Sequence, residues 1–424
     1  MKKWLSEKHT ALLVIYCIVI ALISYTCMYG IRIPYKAAKF EGLILWGINY
    51  KVILVISQVA GYMLSKFIGI KVISELKKEK RLKYIILFNL IGLIALLLFA
   101  ITPYPYNFIW MFFNGLPLGM MFGLVFSYLE GRRFTEFLSS GLAISIIVAS
   151  GYVKTIGKLI LDSGISEMWM PFVTGSIFFV ILLATSYFIS QIPEPSLKDI
   201  ESRTERVSLN RKERMEIFKK FAPGIILLVL VYTLLTIIRD YRDTFIVEIW
   251  AENGINNASL LTKTELPIAI VVLAFIGSIS FIKKNASAFY LTIGIVLIGT
   301  IVLCSSSILY HSNTIDTYVW TILSGLGIFL GYIVFNTVIF ERMIATFRIK
   351  GNFGFLMYLA DSIGYLGSIG VLLFKEFSGT KMKHTEFLLN ASVLIGIACG
   401  LVILLALLYF YKKNRNLKRN PILA

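Results

Sequence analysis

The sequence predicts an all-α integral membrane protein with twelve transmembrane helices in two pseudo-symmetric six-helix bundles. Hydrophobic residues make up 57% of the 424 residues and charged residues only 16%, and the mean hydropathy is +0.79, a balance unlike that of soluble domains. Apolar runs of about 20 residues, each long enough to cross a bilayer, recur along the whole chain. The longest polar segment divides these runs into two equal sets.

The apolar runs define twelve predicted spans. They lie at approximately 11–33, 48–69, 84–102, 108–129, 138–160, 171–191, 222–246, 264–282, 287–309, 317–339, 353–374 and 388–411. Continuous runs favour helices over a transmembrane barrel, in which each strand would show about ten residues of alternating polarity. The predicted domains are an N-terminal bundle at 1–191, a cytoplasmic linker at 192–221, a C-terminal bundle at 222–411 and a cytoplasmic tail at 412–424.

The positions of the basic residues predict the orientation in the membrane. When loops are assigned alternately to the two sides, about 29 of the 42 Lys and Arg residues fall on the side of the N-terminus and far fewer on the other. This asymmetry explains the net charge of +18 without nucleic acid as a partner. It predicts a multi-pass protein of the cell inner (cytoplasmic) membrane with both termini in the cytoplasm.

Two short patterns recur about half a chain apart and predict an internal repeat. Tyr25 precedes Arg32 by seven residues, and Tyr232 precedes Arg239 by the same distance, 207 positions later. The pattern GYxxxIG occurs at 151–157 in span five and again at 364–370 in span eleven. Repeats of this kind relate the two halves of many transporters.

Charged side chains inside spans are costly in lipid and therefore indicate function. Arg32, Lys66 and Lys154 lie in the first half and Arg239 in the second, a positive balance that predicts an anionic substrate. Arginine suits phosphate because its planar fork donates two parallel hydrogen bonds. Tyr25 and Tyr29 share a helical face with Arg32, so their hydroxyls are further candidate ligands.

Acidic residues leave a competing interpretation open. Asp243 follows Arg239 by four residues and could pair with it on one helical face, and Asp361 could pair with Lys66 or Lys154. The candidate coupling or gating residues are Asp361, Arg242, Asp243 and Glu130.

These residues resemble the major facilitator superfamily and, within it, the organophosphate:phosphate antiporters. That group has tyrosines seven and three residues before a span-one arginine, a second arginine in span seven, and a Tyr-Gly-Phe-Ser-Lys-Phe-like motif in span two, which residues 61–69 (GYMLSKFIG) resemble. The resemblance implies that Tyr62 and Lys66 approach the substrate. The chain differs in span five, where the group has a histidine and this sequence has Lys154.

The leading hypothesis is a secondary active transporter of a small organic anion, such as a phosphorylated metabolite, with alternating access and a central site formed by two arginines. One alternative keeps the fold but makes the protein a proton-coupled exporter of drugs, lipids or other small molecules. Another is a membrane sensor that binds an anionic ligand without transporting it.

No nucleotide-binding loop, catalytic motif or metal-ligand spacing occurs, so we expect no enzymatic activity and no cofactor. The expected partners are the substrate, membrane lipid and a coupling proton or phosphate, and we expect a monomer.

Overall fold

The computed structural model describes residues 10–74, 78–129, 132, 135–195, 199, 211–279, 281–349, 354–377 and 382–419. Glu130, one of the candidate coupling residues, lies outside the described residues, as do residues 200–210 of the predicted linker.

Long α-helices make up most of the described chain. They are α1 (Thr10–Arg32), α2 (Tyr50–Ser74), α3 (Arg81–Ile101), α4 (Ile109–Leu118), α5 (Met121–Phe126), α6 (Thr135–Asp162), α7 (Met170–Ser190), α8 (Arg211–Glu252), α9 (Ser259–Ile279), α10 (Asn285–His311), α11 (Thr317–Thr337), α12 (Ile339–Thr346), α13 (Gly354–Phe377) and α14 (His384–Arg419). A small antiparallel hairpin joins α1 to α2, with β1 (Ile44–Leu45) paired to β2 (Ile48–Asn49).

Ten helices within the described ranges are long and apolar enough to cross a membrane. The helices over predicted spans two and eleven, α2 and α13, have 25 and 24 residues. At 1.5 Å per residue they also exceed the roughly 30 Å of a hydrocarbon core, but they contain charged residues such as Lys66 and Asp361.

Two helices depart from the simple pattern of one apolar run for each helix. Predicted span four is divided into α4, which contains Pro117 in its last turn, and α5, with the break at Gly119 and Met120. Helix α8 begins inside the predicted linker and runs for 42 residues, about 63 Å. Part of the linker is therefore helical and continuous with span seven.

The chain forms two compact units, which we describe separately. Unit 1 comprises the described residues within 1–203, 243–269 and 372–381, and unit 2 those within 204–242, 270–371 and 382–424. In unit 1, α1 packs against α6 and α7, while α4 packs against α2 and α3. In unit 2, α10 packs against α11 and α14. The domain boundaries given above from the sequence remain predictions.

Helices α2 and α4 pack closely because each presents a glycine at the crossing. A Cβ atom added at Gly61 would lie 2.1 Å from the Phe112 carbonyl oxygen, and one at Gly115 would lie 2.2 Å from the Gln58 carbonyl oxygen. Both distances are far below van der Waals contact, so a methyl group at either position would push the two backbones apart. Small residues of this kind are the usual means of close helix packing in membranes.

We expect Gly115→Ala to lower the free energy of unfolding by about 1–3 kcal/mol, because the added methyl group overpacks a contact between two backbones. Gly294→Ala in α10 is the matched control, since no atom lies within 4 Å of a Cβ built there. That substitution should be neutral or stabilise by about 0.4–1 kcal/mol. Reversible unfolding in detergent measures both, and equal effects would show that the α2–α4 crossing is not close-packed.

Candidate functional site

Helices α1 and α2 of unit 1 bring together two basic and three aromatic side chains, which we call the cation–aromatic cluster: Tyr25, Tyr29, Arg32, Tyr62 and Lys66. The Arg32 Cζ atom lies 3.8 Å from the centroid of the Tyr62 ring and 5.8 Å from that of Tyr29. The Lys66 Nζ atom lies 5.1 Å from the Tyr62 centroid. Both cations therefore approach one aromatic ring, and five of the six residues predicted for the first-half site lie together.

The helical spacing of the sequence explains this arrangement. Tyr25, Tyr29 and Arg32 lie on successive turns of α1, and the rings of Tyr25 and Tyr29 pack with centroids 5.4 Å apart. Tyr62 and Lys66 are four residues apart on α2. Tyr25, Tyr62 and Lys66 are buried, so the cluster places positive charge within membrane-spanning helices, where an isolated charge is costly.

The end of α1 is held by two buried amide side chains that the sequence analysis did not single out. Gln58 Nε2 donates to the Arg32 carbonyl at 2.5 Å and to Asn114 Oδ1 at 2.7 Å. Asn114 Nδ2 donates to the Ile31 carbonyl at 3.1 Å and to that of Gly92 at 2.9 Å. The last carbonyls of a helix lack partners within it, so these amides satisfy them and fix the backbone that presents Arg32. Amide residues inside apolar spans were the available sequence indication.

A second charged group in unit 1, the ion cluster, consists of Lys36, Lys154 and Asp243. Lys36 Nζ lies 2.7 Å from Asp243 Oδ2, and Lys154 Nζ lies 2.6 Å from Asp243 Oδ1. Ser150 also donates to Asp243, and both lysines are buried. Lys154, a predicted substrate ligand, thus binds an acidic side chain of its own unit. Its contact with a substrate remains a prediction.

This geometry decides against the alternative in which Asp243 pairs with Arg239. Asp243 binds Lys36 and Lys154, whereas the guanidinium of Arg239 binds the adjacent Asp240. Lys36 precedes Asp243 by 207 positions, the same offset that relates Arg32 to Arg239. The ion pair therefore joins equivalent positions of the internal repeat.

A further buried ion pair lies in the same unit. Lys51 Nζ is 2.5 Å from Glu248 Oε1 and donates to the Lys36 carbonyl at 2.9 Å. The backbone N–H of Asn49 donates to Glu376 Oε2 at 3.0 Å. Together these contacts tie the segment that follows α1 to the end of α8 and to residues of α13 within unit 1.

Unit 2 repeats the contact between an arginine and a tyrosine ring but adds acidic residues. The Arg239 Cζ atom lies 4.0 Å from the centroid of Tyr332, as Arg32 lies over Tyr62. Arg239 Nε also donates to Asp240 Oδ1 at 3.1 Å, and Ser368 donates to Asp240 Oδ2 at 2.8 Å. The charge of Arg239 is therefore balanced within its own unit.

The other candidate coupling residues of unit 2 are also engaged. The Tyr232 hydroxyl donates to the buried carboxylate of Asp361 and lies 3.2 Å from the Tyr332 hydroxyl. Arg242 Nη2 donates to the Thr321 carbonyl at 3.2 Å. Tyr25 and Tyr232, which are equivalent in the repeat, each pack against a phenylalanine, Phe122 and Phe335 respectively. Within the described ranges, no three His, Cys, Asp or Glu residues are grouped so that they could hold a metal ion.

Comparison with solved structures confirms the predicted all-α membrane fold of the major facilitator class. The chain is similar to the crystal structure of a D-xylose-proton symporter with a TM-score of 0.60 and 13% sequence identity, and the match covers 92% of this chain and 97% of that chain. No curated protein sequence matches the chain. Residues 34–413 match the model of a family of unknown function, DUF5690. Because this match extends over most of the sequence, the protein belongs to that family.

Proposed function

We propose that the protein is a secondary active transporter that moves a small organic anion across the membrane by alternating access. The observation that supports this most directly is the approach of Arg32 and Lys66 to the ring of Tyr62 inside membrane-spanning helices. Two cations that approach one aromatic ring create a local positive potential, and such a potential attracts an anionic ligand.

Phosphorylated metabolites are the proposed substrate class. Arg32 would donate two hydrogen bonds to a phosphoryl group, Lys66 would add a compact positive charge, and the hydroxyls of Tyr25, Tyr29 and Tyr62 would complete the shell. Arg239 is the proposed second arginine of the site. Arg239 would take part either by exchanging Asp240 for the phosphoryl group or through guanidinium N–H groups that do not bind Asp240.

The proposed coupling and gating residues are acidic except for Arg242. Release of Asp243 from Lys36 and Lys154 would accompany the change of access, with Arg242 as a neighbouring gate residue. Asp361 is the proposed carrier of a coupling proton, with exchange against phosphate as the alternative form of coupling. We further propose that the protein works as a monomer in the inner membrane with both termini in the cytoplasm.

A second candidate is a proton-coupled carrier of an uncharged or cationic molecule. It is favoured by the Arg239–Asp240 ion pair, which leaves unit 2 without excess positive charge at this point, and by the hydrogen bond from Tyr232 to Asp361. The solved structure to which the chain is similar is titled a D-xylose-proton symporter. On this proposal, protonation of Asp361 and not binding of an anion would drive the change of access.

Thermal unfolding of the purified protein separates the two candidates. We expect glycerol 3-phosphate or glucose 6-phosphate to raise the melting temperature in proportion to the logarithm of concentration above the dissociation constant. Equal concentrations of glycerol, glucose and xylose are the uncharged controls. If the uncharged compounds stabilise the protein and the phosphate esters do not, the result would refute an anion site and support the second candidate.

A further inference from the structure

The hairpin between α1 and α2 presents apolar side chains that no part of the described structure covers. Ile44, in the first strand, is 63% exposed, and Trp46, in the turn between the paired strands, is 70% exposed. Tyr106, on the connection between α3 and α4, is 71% exposed. Isolated exposed apolar residues are ordinary, but three large ones on adjoining loops form a patch that needs an explanation.

The two loops meet and therefore form one surface. The Trp46 ring packs edge-on against Phe108 with centroids 5.6 Å apart, and the Tyr104 hydroxyl donates to the Ile44 carbonyl at 2.5 Å. They also lie on the same side of the membrane, because α2 and α3 each cross it once between them. We call Ile44, Trp46, Tyr104 and Tyr106 the aromatic patch.

The backbone conformation at the tip of the hairpin is unfavourable for a tryptophan, which indicates that Trp46 has a role there. Trp46 has a φ of 55° and Gly47 a φ of 77°, so both adopt the left-handed conformation of a two-residue hairpin turn. Asn, Asp or Gly adopts that conformation at the lowest cost, and a bulky side chain is unfavourable there. Apart from its edge contact with Phe108, a tryptophan held in this conformation and 70% exposed gains little from packing within its own chain.

The patch continues into a surface that faces lipid. Ile101 at the end of α3 and Ile109 and Phe113 on α4 are exposed, and Ile109 and Phe113 share one helical face. Because these helices belong to a membrane fold, their exposed apolar side chains face the acyl chains. The aromatic patch lies directly beyond the ends of these helices, and Trp and Tyr side chains concentrate at the ends of membrane-spanning segments, in the headgroup region.

We propose that the hairpin is a membrane anchor, with Trp46 and Tyr106 inserted into the headgroup region of the bilayer beside the ends of α3 and α4. The side chains of Lys39 and Glu41 pair at 3.2 Å on the more polar segment that precedes the hairpin, so the anchor has a polar side and an apolar side. Asn49 and Lys51, which follow the hairpin, bind Glu376 of α13 and Glu248 of α8. An anchored hairpin would therefore hold this contact region of α8 and α13 at the membrane surface. This proposal does not depend on the identity of the substrate.

Quenching of tryptophan fluorescence by brominated phosphatidylcholine tests the proposal on the full chain in proteoliposomes. Trp46 is one of six tryptophans. Its contribution to the quenched fluorescence is therefore the difference between the wild type and Trp46→Phe. We expect Trp46→Phe to remove part of the quenching, and to remove more of it when the bromines are near the headgroup than when they are deep in the acyl chain. Trp320→Phe is the matched control, since Trp320 is 1% exposed and stacks on Tyr310, and it should leave the quenching by lipid unchanged.

Unchanged quenching in Trp46→Phe would overturn the proposal, and so would free access of aqueous iodide to Trp46 in the proteoliposomes. A crosslink between the hairpins of two copies, together with a loss of quenching at higher protein density, would also overturn it in favour of a contact between copies. A nitroxide attached to Ile44→Cys gives an independent measurement if Trp46→Phe does not fold. Relaxation of that label by oxygen but not by a water-soluble nickel complex is expected, and the opposite result would refute the anchor.

Discussion

Replacing Arg32 with alanine is expected to reduce the uptake of a phosphorylated substrate at least about 100-fold. Two charge-assisted hydrogen bonds from one guanidinium contribute about 3 kcal/mol or more, and each 1.4 kcal/mol is a factor of ten. Arg32→Lys keeps the charge but loses the planar fork, so we expect an intermediate loss of about tenfold. The measurement is counterflow in proteoliposomes with whichever of the phosphate esters stabilises the wild-type protein.

Arg81→Ala is the matched control for that prediction. Arg81 also lies beside a tyrosine, with its Cζ atom 5.9 Å from the Tyr128 centroid, and it donates to the Ser127 carbonyl at 2.8 Å. It is outside the cation–aromatic cluster, so its loss should leave transport within about twofold of the wild type once expression is matched. Equal transport by Arg32→Ala and the wild type would refute the proposed site and with it the anionic substrate.

The sequence predicts the fold and the α1 part of the cation–aromatic cluster because both depend on local periodicity, whereas the approach of Tyr62 is implied only by the family resemblance. Apolar runs identify the spanning helices, and a spacing of three to four residues places Tyr25, Tyr29 and Arg32 on one face of α1. The break between α4 and α5, inside the single span predicted at 108–129, is not predicted. The length of α8, which extends a transmembrane run into a charged linker, is not encoded in hydropathy and emerges only in the structure.

The partners of the acidic residues could not be predicted by the same rules. The local rule pairs Arg239 with Asp243 at i,i+4, since adjacent residues on a helix point in different directions. The arginine side chain is long enough to fold back onto Asp240. Asp243 instead forms ion pairs with Lys36 and Lys154, which are 207 and 89 residues away in the chain. Contacts over such separations depend on how helices pack, which residue spacing does not specify.

Removing the carboxylate of Asp243 is expected to lower the free energy of unfolding by about 3–5 kcal/mol, because Asp243→Ala leaves Lys36 and Lys154 buried without their shared partner. Asp162→Ala is the matched control. The pair between Asp162 and Lys158 has a similar separation of 2.8 Å but is exposed, so its loss should change the free energy by less than about 1 kcal/mol. Unfolding in mixed detergent with increasing sodium dodecyl sulfate measures both variants.

The triple variant Lys36→Met, Lys154→Met, Asp243→Leu separates two explanations of that loss. If the cost of Asp243→Ala arises from unpaired buried charge, apolar side chains of similar size at all three positions should restore most of the stability, since replacing a complete buried ion pair is often neutral. If alternating access requires the ion cluster to break and re-form, the stable triple variant should still fail in counterflow. Normal transport by a stable triple variant would show that the ion cluster serves folding and not gating.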